Sequence, residues 1–161
     1  MAQTAKHSFE IRAAQPREAG AICELLRRSI TELCVHDHQN DPRRLAEWLD
    51  NKTPEHVARW ITGSDNCMLV AVADGRILGV GSIKTDGEIA LNYVSPEARF
   101  QGVSRAMLLK LEETARERGC RRVTLTSTFT AHEFYIAAGY VDYRHEVWEG
   151  RDWPLMEKTL S

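Results

Sequence analysis

The period of apolar positions changes several times along the chain, and each change marks an element. In SFEIRAA, residues 8–14, Phe9, Ile11 and Ala13 alternate with polar neighbours, the period of two of a half-buried strand. Pro16 then opens a stretch in which Ile22, Leu25, Leu26, Ile30 and Leu33 recur at spacings of three and four, predicting an amphipathic helix to Cys34. After the polar HDHQND, Asp41 and Pro42 read as the cap and first turn of a short helix bearing Leu45, Trp48 and Leu49. Thr53, Pro54 and Glu55 start another, bearing Val57, Trp60 and Ile61.

From Cys67 the pattern becomes β-like. CMLVAVA and RILGVGSIK flank Asp74-Gly75, a strong hairpin signal, and Thr85-Asp86-Gly87 turns the chain into a third strand, EIALNYV, stopped by Ser95 and Pro96. Residues 103–118 carry Ala106, Leu108, Leu109, Leu111 and Ala115 as a helical stripe, Gly119 follows as a cap, and RRVTLTS is the next strand. Strand, helix, strand implies a parallel pair. A short helix from about Ala131 to Ala138 and two strands, YVDYRHEV and PLMEKTL, complete the order. The expected architecture is one α/β (α+β) domain over residues 1–161, with a mixed, mostly antiparallel central sheet flanked by helices.

The 161 residues, 43% hydrophobic and 27% charged, supply enough apolar material for a sizeable core. A net charge of -2, from 21 basic and 23 acidic residues, gives no cationic field for nucleic acid or anionic lipid, so neither is an expected partner. The start MAQTAKHSFE lacks the apolar middle of a secretory signal and no apolar run is long enough to span a bilayer, so a cytoplasmic location is expected. Cys23, Cys34, Cys67 and Cys120 are widely scattered, which suits reduced thiols better than a zinc or CxxC site. The histidines, His7, His36, His38, His56, His132 and His145, show no metal-ligand spacing, so no metal is expected. RERGCRR at 116–122 reads as a solvated helix end. Trp48, Trp60, Trp148 and Trp153 read as core or interface anchors, with Trp48 or Trp148 as alternative pocket walls.

Chemistry concentrates where strand 88–94 passes through RFQGVSRAMLLKL into the helix. A helix start with Gly102, Ser104 and Ala106 leaves several amides unpaired, and Arg99 and Arg105 add charge, so the turn suits a diphosphate. A plain turn with two solvated arginines stands beside that reading. The P-loop lysine and the three-glycine dinucleotide fingerprint are both missing.

YVSPEARFQGVSRAMLLKLEETARERG resembles the acetyl-CoA signature of the GCN5-related N-acetyltransferase (GNAT) superfamily, with Arg99, Gly102 and Ser104 at its defining positions and serine where glycine or alanine is usual. TFTAHEFYIAAGYV is similar to the family's NxxAxxFYxxxGF segment through Ala131, Phe134, Tyr135, Gly139 and Tyr140, with Thr128 in place of asparagine. The likeness covers nearly the whole chain.

The resemblance implies transfer of an acetyl group from acetyl-CoA to a primary amine of a small molecule or peptide, by direct attack in a ternary complex. A non-catalytic acyl-CoA-binding or sensing module is the alternative. It further implies that Asn92, Tyr93 and Val94 hold the pantetheine arm. Arg99, Phe100, Gln101, Gly102, Val103, Ser104, Arg105 and Ala106 would hold the diphosphate, and Thr128 would take the asparagine's contact. Tyr135 matches the general acid that protonates the departing thiolate. Glu88, by its distance from the signature, matches the base of the histone-acetylating branch, against the reading of a charge at a turn edge. His36, Asp37 and His38, in the loop that walls the acceptor pocket, are rival bases or substrate contacts. A homodimer through late strands around YVDYRHEVW is also in keeping with the family.

Overall fold

The computed structural model describes residues 8–148 and 150–161. His7 and most of the amino-terminal segment read against a secretory signal fall outside them. The described residues form a seven-stranded sheet of order β1-β2-β3-β4-β5-β7-β6, built from β1 (Glu10–Ala13), β2 (Asn66–Ala73), β3 (Arg76–Lys84), β4 (Glu88–Val94), β5 (Arg122–Thr126), β6 (Val141–Trp148) and β7 (Arg151–Thr159). The helices are α1 (Ala19–Leu33), α2 (Val35–His38), α3 (Pro42–Leu49), α4 (Pro54–Thr62), α5 (Val103–Glu117) and α6 (His132–Ala137). Every strand pairing is antiparallel except β4 with β5. Among the described residues no helix is long and apolar enough to cross a membrane.

Local sequence explains most boundaries. Asp41 accepts the Arg43 and Arg44 amides ahead of α3, and Thr53 accepts the His56 amide ahead of α4, so both expected caps form. Pro16 opens only a single 3-10 turn, Pro16–Glu18, and α1 starts at Ala19. One apolar layer lies between the sheet and α5, another between the sheet and α1 with α4. The core face of α5 is Val103, Met107, Leu108, Leu111 and Ala115, whereas Leu109 is 56% exposed, against the expected stripe. Spacings of four from Val103 through Met107, Leu111 and Ala115, and from Leu108 to Glu112, turn Leu109 outward and bring Glu112 inside. There Glu112 accepts from the Tyr140 hydroxyl at 2.9 Å and from Lys158 Nζ at 3.0 Å, which satisfies a carboxylate that would otherwise be costly to bury.

Two irregularities open the sheet beside α5. The β3–β4 register shifts between Ser82 and Ile83, which pair with Leu91 and Ile89, leaving Ala90 as an extra residue. Ile89 therefore packs in the α5 layer while Leu91 packs in the α1 layer. Beyond the bulge β4 leaves β5: the parallel ladder holds only Glu88 with Thr124 and Ile89 with Leu125. On the other side of β5, Pro154 lies inside β7. Its carbonyl accepts the Ser127 amide at 2.9 Å, and its ring nitrogen, which cannot donate, faces the same way, just past the last β5–β7 pair.

Glycines let α5 sit close to β3. A Cβ at Gly79 would stand 2.7 Å from Val103 Cγ1, and one at Gly81 2.7 Å from Met107. Val103 is stiff because it is β-branched and it opens α5, so Gly79→Ala is expected to cost about 1–3 kcal/mol. Gly20→Ala, where an added Cβ meets nothing within 4 Å, is expected to be neutral or stabilising by less than about 1 kcal/mol. Urea denaturation of the two variants beside the native chain checks the contrast.

Candidate active site at the parted strands

Where β4 and β5 separate, the β4 backbone loses its partner on one side. Strand alternation identifies which groups these are. Ser95 N donates to Leu78 O at 2.8 Å, toward β3, so the Val94 amide points the opposite way, into the gap, and so does that of Asn92. A cavity of about 470 Å³ fills this gap, bounded by β4, by the turn into α5 and by α6. Unpaired strand amides on one wall suit an extended amide-bearing chain, which would add itself as a further strand.

The turn at the cavity's end is built for an anion. Phe100 and Gly102 both have left-handed backbone, at φ 65° and 80°, so successive amides face one concavity. No side chain caps α5, and the first α-helical bond from this turn is Ala106 N to Gly102 O. The amides of Val103, Ser104 and Arg105 are left over at the positive end of a fifteen-residue helix. Phe100 is 90% exposed, and its ring carries the Arg99 guanidinium 4.5 Å from its centre. Arg99, Phe100, Gly102, Val103, Ser104 and Arg105 line the cavity, as do Asn92, Tyr93, Val94, Thr128 and Tyr135. Gln101 faces away, donating to Glu97 O at 3.3 Å, and neither it nor Ala106 lines the cavity.

Tyr135 lies on the α6 wall, 6% exposed, and accepts from Asn92 Nδ2 at 3.4 Å. Burial pushes its phenol up to about 12, partly offset by the Asn92 hydrogen bond. It is therefore a proton donor at neutral pH. The other Asn92 side-chain atom, Oδ1, is buried with no partner, an acceptor left for whatever enters the cavity. The resemblance assigned Asn92 only a backbone role; a polar residue at an inward position of a strand was the available signal for its side chain. Thr128 Oγ1 accepts the Ala131 amide at 3.0 Å, so its first task is to fix the start of α6, which carries Tyr135. Cys34, also in the wall, is pushed up to about 12 by burial and by Asp37; it stays a thiol and is a poor nucleophile.

The structure does not bring Glu88 here. Glu88 sits at the closed end of β4, paired with Thr124 across the sheet and 3.5 Å from Lys84 Nζ, and it lines neither this cavity nor the next. Matching distance along the chain placed it on the right strand but before the bulge and the parting. The expected loop residues are likewise committed elsewhere. Asp37, fully buried, accepts from the Phe129 amide at 2.6 Å, the Thr130 amide at 3.3 Å and the Thr130 hydroxyl at 2.6 Å. His38, also fully buried, has Nε2 3.0 Å from Ile30 O while Nδ1 accepts the Asn40 amide at 3.0 Å, a pattern that puts its hydrogen on Nε2. His36 is exposed and meets Phe129 edge-on. Asp37 and His38 thus build the wall and do not face the cavities.

A second cavity, of about 290 Å³, opens across the same parting and shares Tyr93, Thr126 and Thr128 with the first. Trp48, Trp148, Trp153, Ser127 and Glu146 complete its lining.

The comparisons agree with this architecture. A family model described as an acetyltransferase (GNAT) domain matches residues 21–160. A GCN5-related N-acetyltransferase from Rhodopseudomonas palustris is 22% identical, with TM-score 0.86 over 99% of this chain and 100% of that one. The PaiA N-acetyltransferase of Thermoplasma acidophilum, solved with coenzyme A, is 22% identical, with TM-score 0.79 over 95% and 99%. An aminoglycoside 6'-acetyltransferase type Ii is 19% identical, with TM-score 0.71 over 93% and 96%.

Asp37 bonds three groups across more than ninety residues of chain, so Asp37→Ala is expected to cost about 2–3 kcal/mol by orphaning them, and Thr130→Val, which removes one, about 1 kcal/mol. Denaturant midpoints at unchanged slope check both.

Proposed function

The chain belongs to the GNAT acetyltransferase family, and from that premise we propose that it transfers the acetyl group of acetyl-CoA to a primary amine by direct attack, the amine reaching the acyl carbon from the second cavity. The observation that carries the reading is the parting itself: one wall offers free strand amides, its end offers free helix amides, and a buried phenol stands on the opposite wall. The unpartnered Asn92 Oδ1 fits the amide hydrogens of a pantetheine arm, and the concave turn at Phe100–Gly102 fits its diphosphate. Acetyl-CoA, when bound, supplies an acyl group already activated as a thioester.

The roles of this chain follow. Asn92, Tyr93 and Val94 hold the arm, and the Val94 amide, aimed into the gap, polarises the acyl oxygen. Val103, Ser104 and Arg105 bind the diphosphate through backbone, with the Arg99 and Arg105 side chains adding charge. Tyr135 donates to the leaving sulfur. Burial raises the phenol, and it raises a thiol in the same place too, so donor and acceptor shift together and proton transfer stays within reach. Among the described residues no carboxylate or imidazole lines the first cavity, and the carboxylate lining the second, Glu146, is exposed at its rim, so we assign the amine's proton to water at that opening.

Tyr135→Phe is expected to lower kcat about 100-fold while CoA still binds with unchanged heat, checked by thiol release and calorimetry. Full activity of that variant, or no heat from CoA with native protein, refutes the reading. Glu88→Gln is expected to keep both rate and pH profile, since Glu88 faces Lys84 outside the cleft; the rising limb of kcat/KM should follow the acceptor's own amine in both proteins.

A further inference from the structure

The second cavity has a composition that the transfer chemistry does not require. In the β6–β7 register Glu146 pairs with Trp153, and Trp148 follows Glu146 by two residues, so all three side chains share one face of this hairpin. Trp48 closes over them from α3. The three indoles stand at steep angles to one another: Trp48 and Trp148 centres lie 6.3 Å apart at 75°, Trp48 and Trp153 6.2 Å apart at 73°, and Trp148 and Trp153 5.7 Å apart at 57°. These are edge-to-face and tilted contacts, and since all three rings line one cavity they make a box and not a stack, with Phe129 backing Trp153 at 4.7 Å and 32°. The box is held from outside. Trp153 Nε1 donates to Trp148 O at 3.1 Å, and Trp48 meets His38 edge-on at 6.3 Å. Arg151 packs over Phe129 at 4.2 Å and donates to His36 O and Asp37 O.

Indole faces present negative charge to a ligand, and Glu146 adds a full one. Glu146 is exposed at the rim, and the described residues lining the cavity include no lysine, arginine or histidine; the neighbouring cation, Arg151, lies 6.0 Å over the Trp153 ring with its donors on the His36 and Asp37 carbonyls. A neutral apolar ligand would strip water from Glu146 with nothing in return; an ammonium group would gain from every wall. That ammonium is not the reacting one. The attacking amine must lose its proton, and a carboxylate with three π faces would hold the proton on.

We propose that the box of Trp48, Trp148 and Trp153 with Glu146 recognises a second, alkylated ammonium group on a small-molecule acceptor whose primary amine lies beyond it, at the opening shared by Tyr93, Thr126 and Thr128. This rests on the transferase reading above and names its substrate class. Alkylation favours the box over water, because methyl groups spread the charge and reduce the cost of dehydration.

The test compares ω-aminoalkyl-trimethylammonium ions of graded chain length with their neutral isosteres, in which a tert-butyl group replaces trimethylammonium. With saturating CoA present, so that no acetyl is transferred, quenching of tryptophan fluorescence gives Kd for each; thiol release with acetyl-CoA gives kcat/KM. At the best length the cation is expected to bind about tenfold or more tightly than its isostere and to be acetylated with a similar preference. Glu146→Gln and Trp148→Leu should each shrink the preference, with CoA heat retained to show that the fold survives. A cation bound no better than its isostere at every length overturns the proposal, as does a preference untouched by both variants. A cation held tightly but acetylated at no length also overturns it. Loss of CoA binding by the native protein would instead overturn the transferase reading, while the fluorescence comparison would still judge the box.

Discussion

The parallel ladder between β4 and β5 stops after Ile89 and Leu125, and every functional feature follows from that stop. A sheet that continued would use the Asn92 and Val94 amides internally and leave no cavity. Leaving them free in a partly buried gap is costly unless water or a ligand takes them, so the rest of the fold has to hold the gap open. On the β4 side the extra residue at Ala90 reverses which layer each side chain enters. On the far side of β5, Pro154 withholds a donor just where the β5–β7 ladder would extend. Gly79 and Gly81 let α5 lie close against β3, with the start of that helix in the cavity wall.

The far wall is held by a different kind of contact. Asp37 ties the end of the first helical pair to Phe129 and Thr130, and Arg151 ties the β6–β7 turn to His36 and Asp37 carbonyls. Apart from the exposed Arg151–His36 bond these are half-buried, and all join segments distant in sequence, so each restricts the loops it ties. The exposed ion pairs, such as Lys84 with Glu88 and Lys110 with Glu113, lie in water and add little by comparison. The wall around the second cavity thus rests on a few polar contacts, while the strands and helix around the first rest on two apolar layers.

Features encoded by neighbours in sequence were legible without coordinates. The Asp41 and Thr53 caps, the Asp74-Gly75 hairpin and the helix start at Gly102 all depend on a handful of adjacent residues, and the parallel pair follows from the strand, helix, strand order. What depends on register was not. Glu88 stands at the expected separation from Arg99 along the chain, yet chain separation does not reveal a bulge, and the side chain ends outside the cleft. His38 and Asp37 have the chemistry of a substrate site, but only packing shows that their polar atoms are already used. Glu146 and Trp153 are separated by a turn, and only the β6–β7 pairing makes them neighbours. Trp48 and Trp148 were open as pocket walls from the start; their perpendicular arrangement was not.

The two cavities divide the electrostatic work. In the wall of the first, burial keeps three ionisable groups neutral: the Tyr135 phenol stays protonated, the Cys34 thiol does too, and the Tyr93 phenol is likewise raised. Neutral donors there strengthen as the developing charge appears and do not bind the uncharged thioester strongly beforehand, which is the condition for accelerating a step. Around the second, a full charge and three indole faces are placed away from the reacting atoms. On the proposed reading, charge recognition is strong without raising the pKa of the attacking amine, because the recognised nitrogen and the reacting nitrogen are different atoms. A single pocket would have to trade affinity for the cation against reactivity of the amine. The strands part in a way that gives each requirement its own side of the sheet.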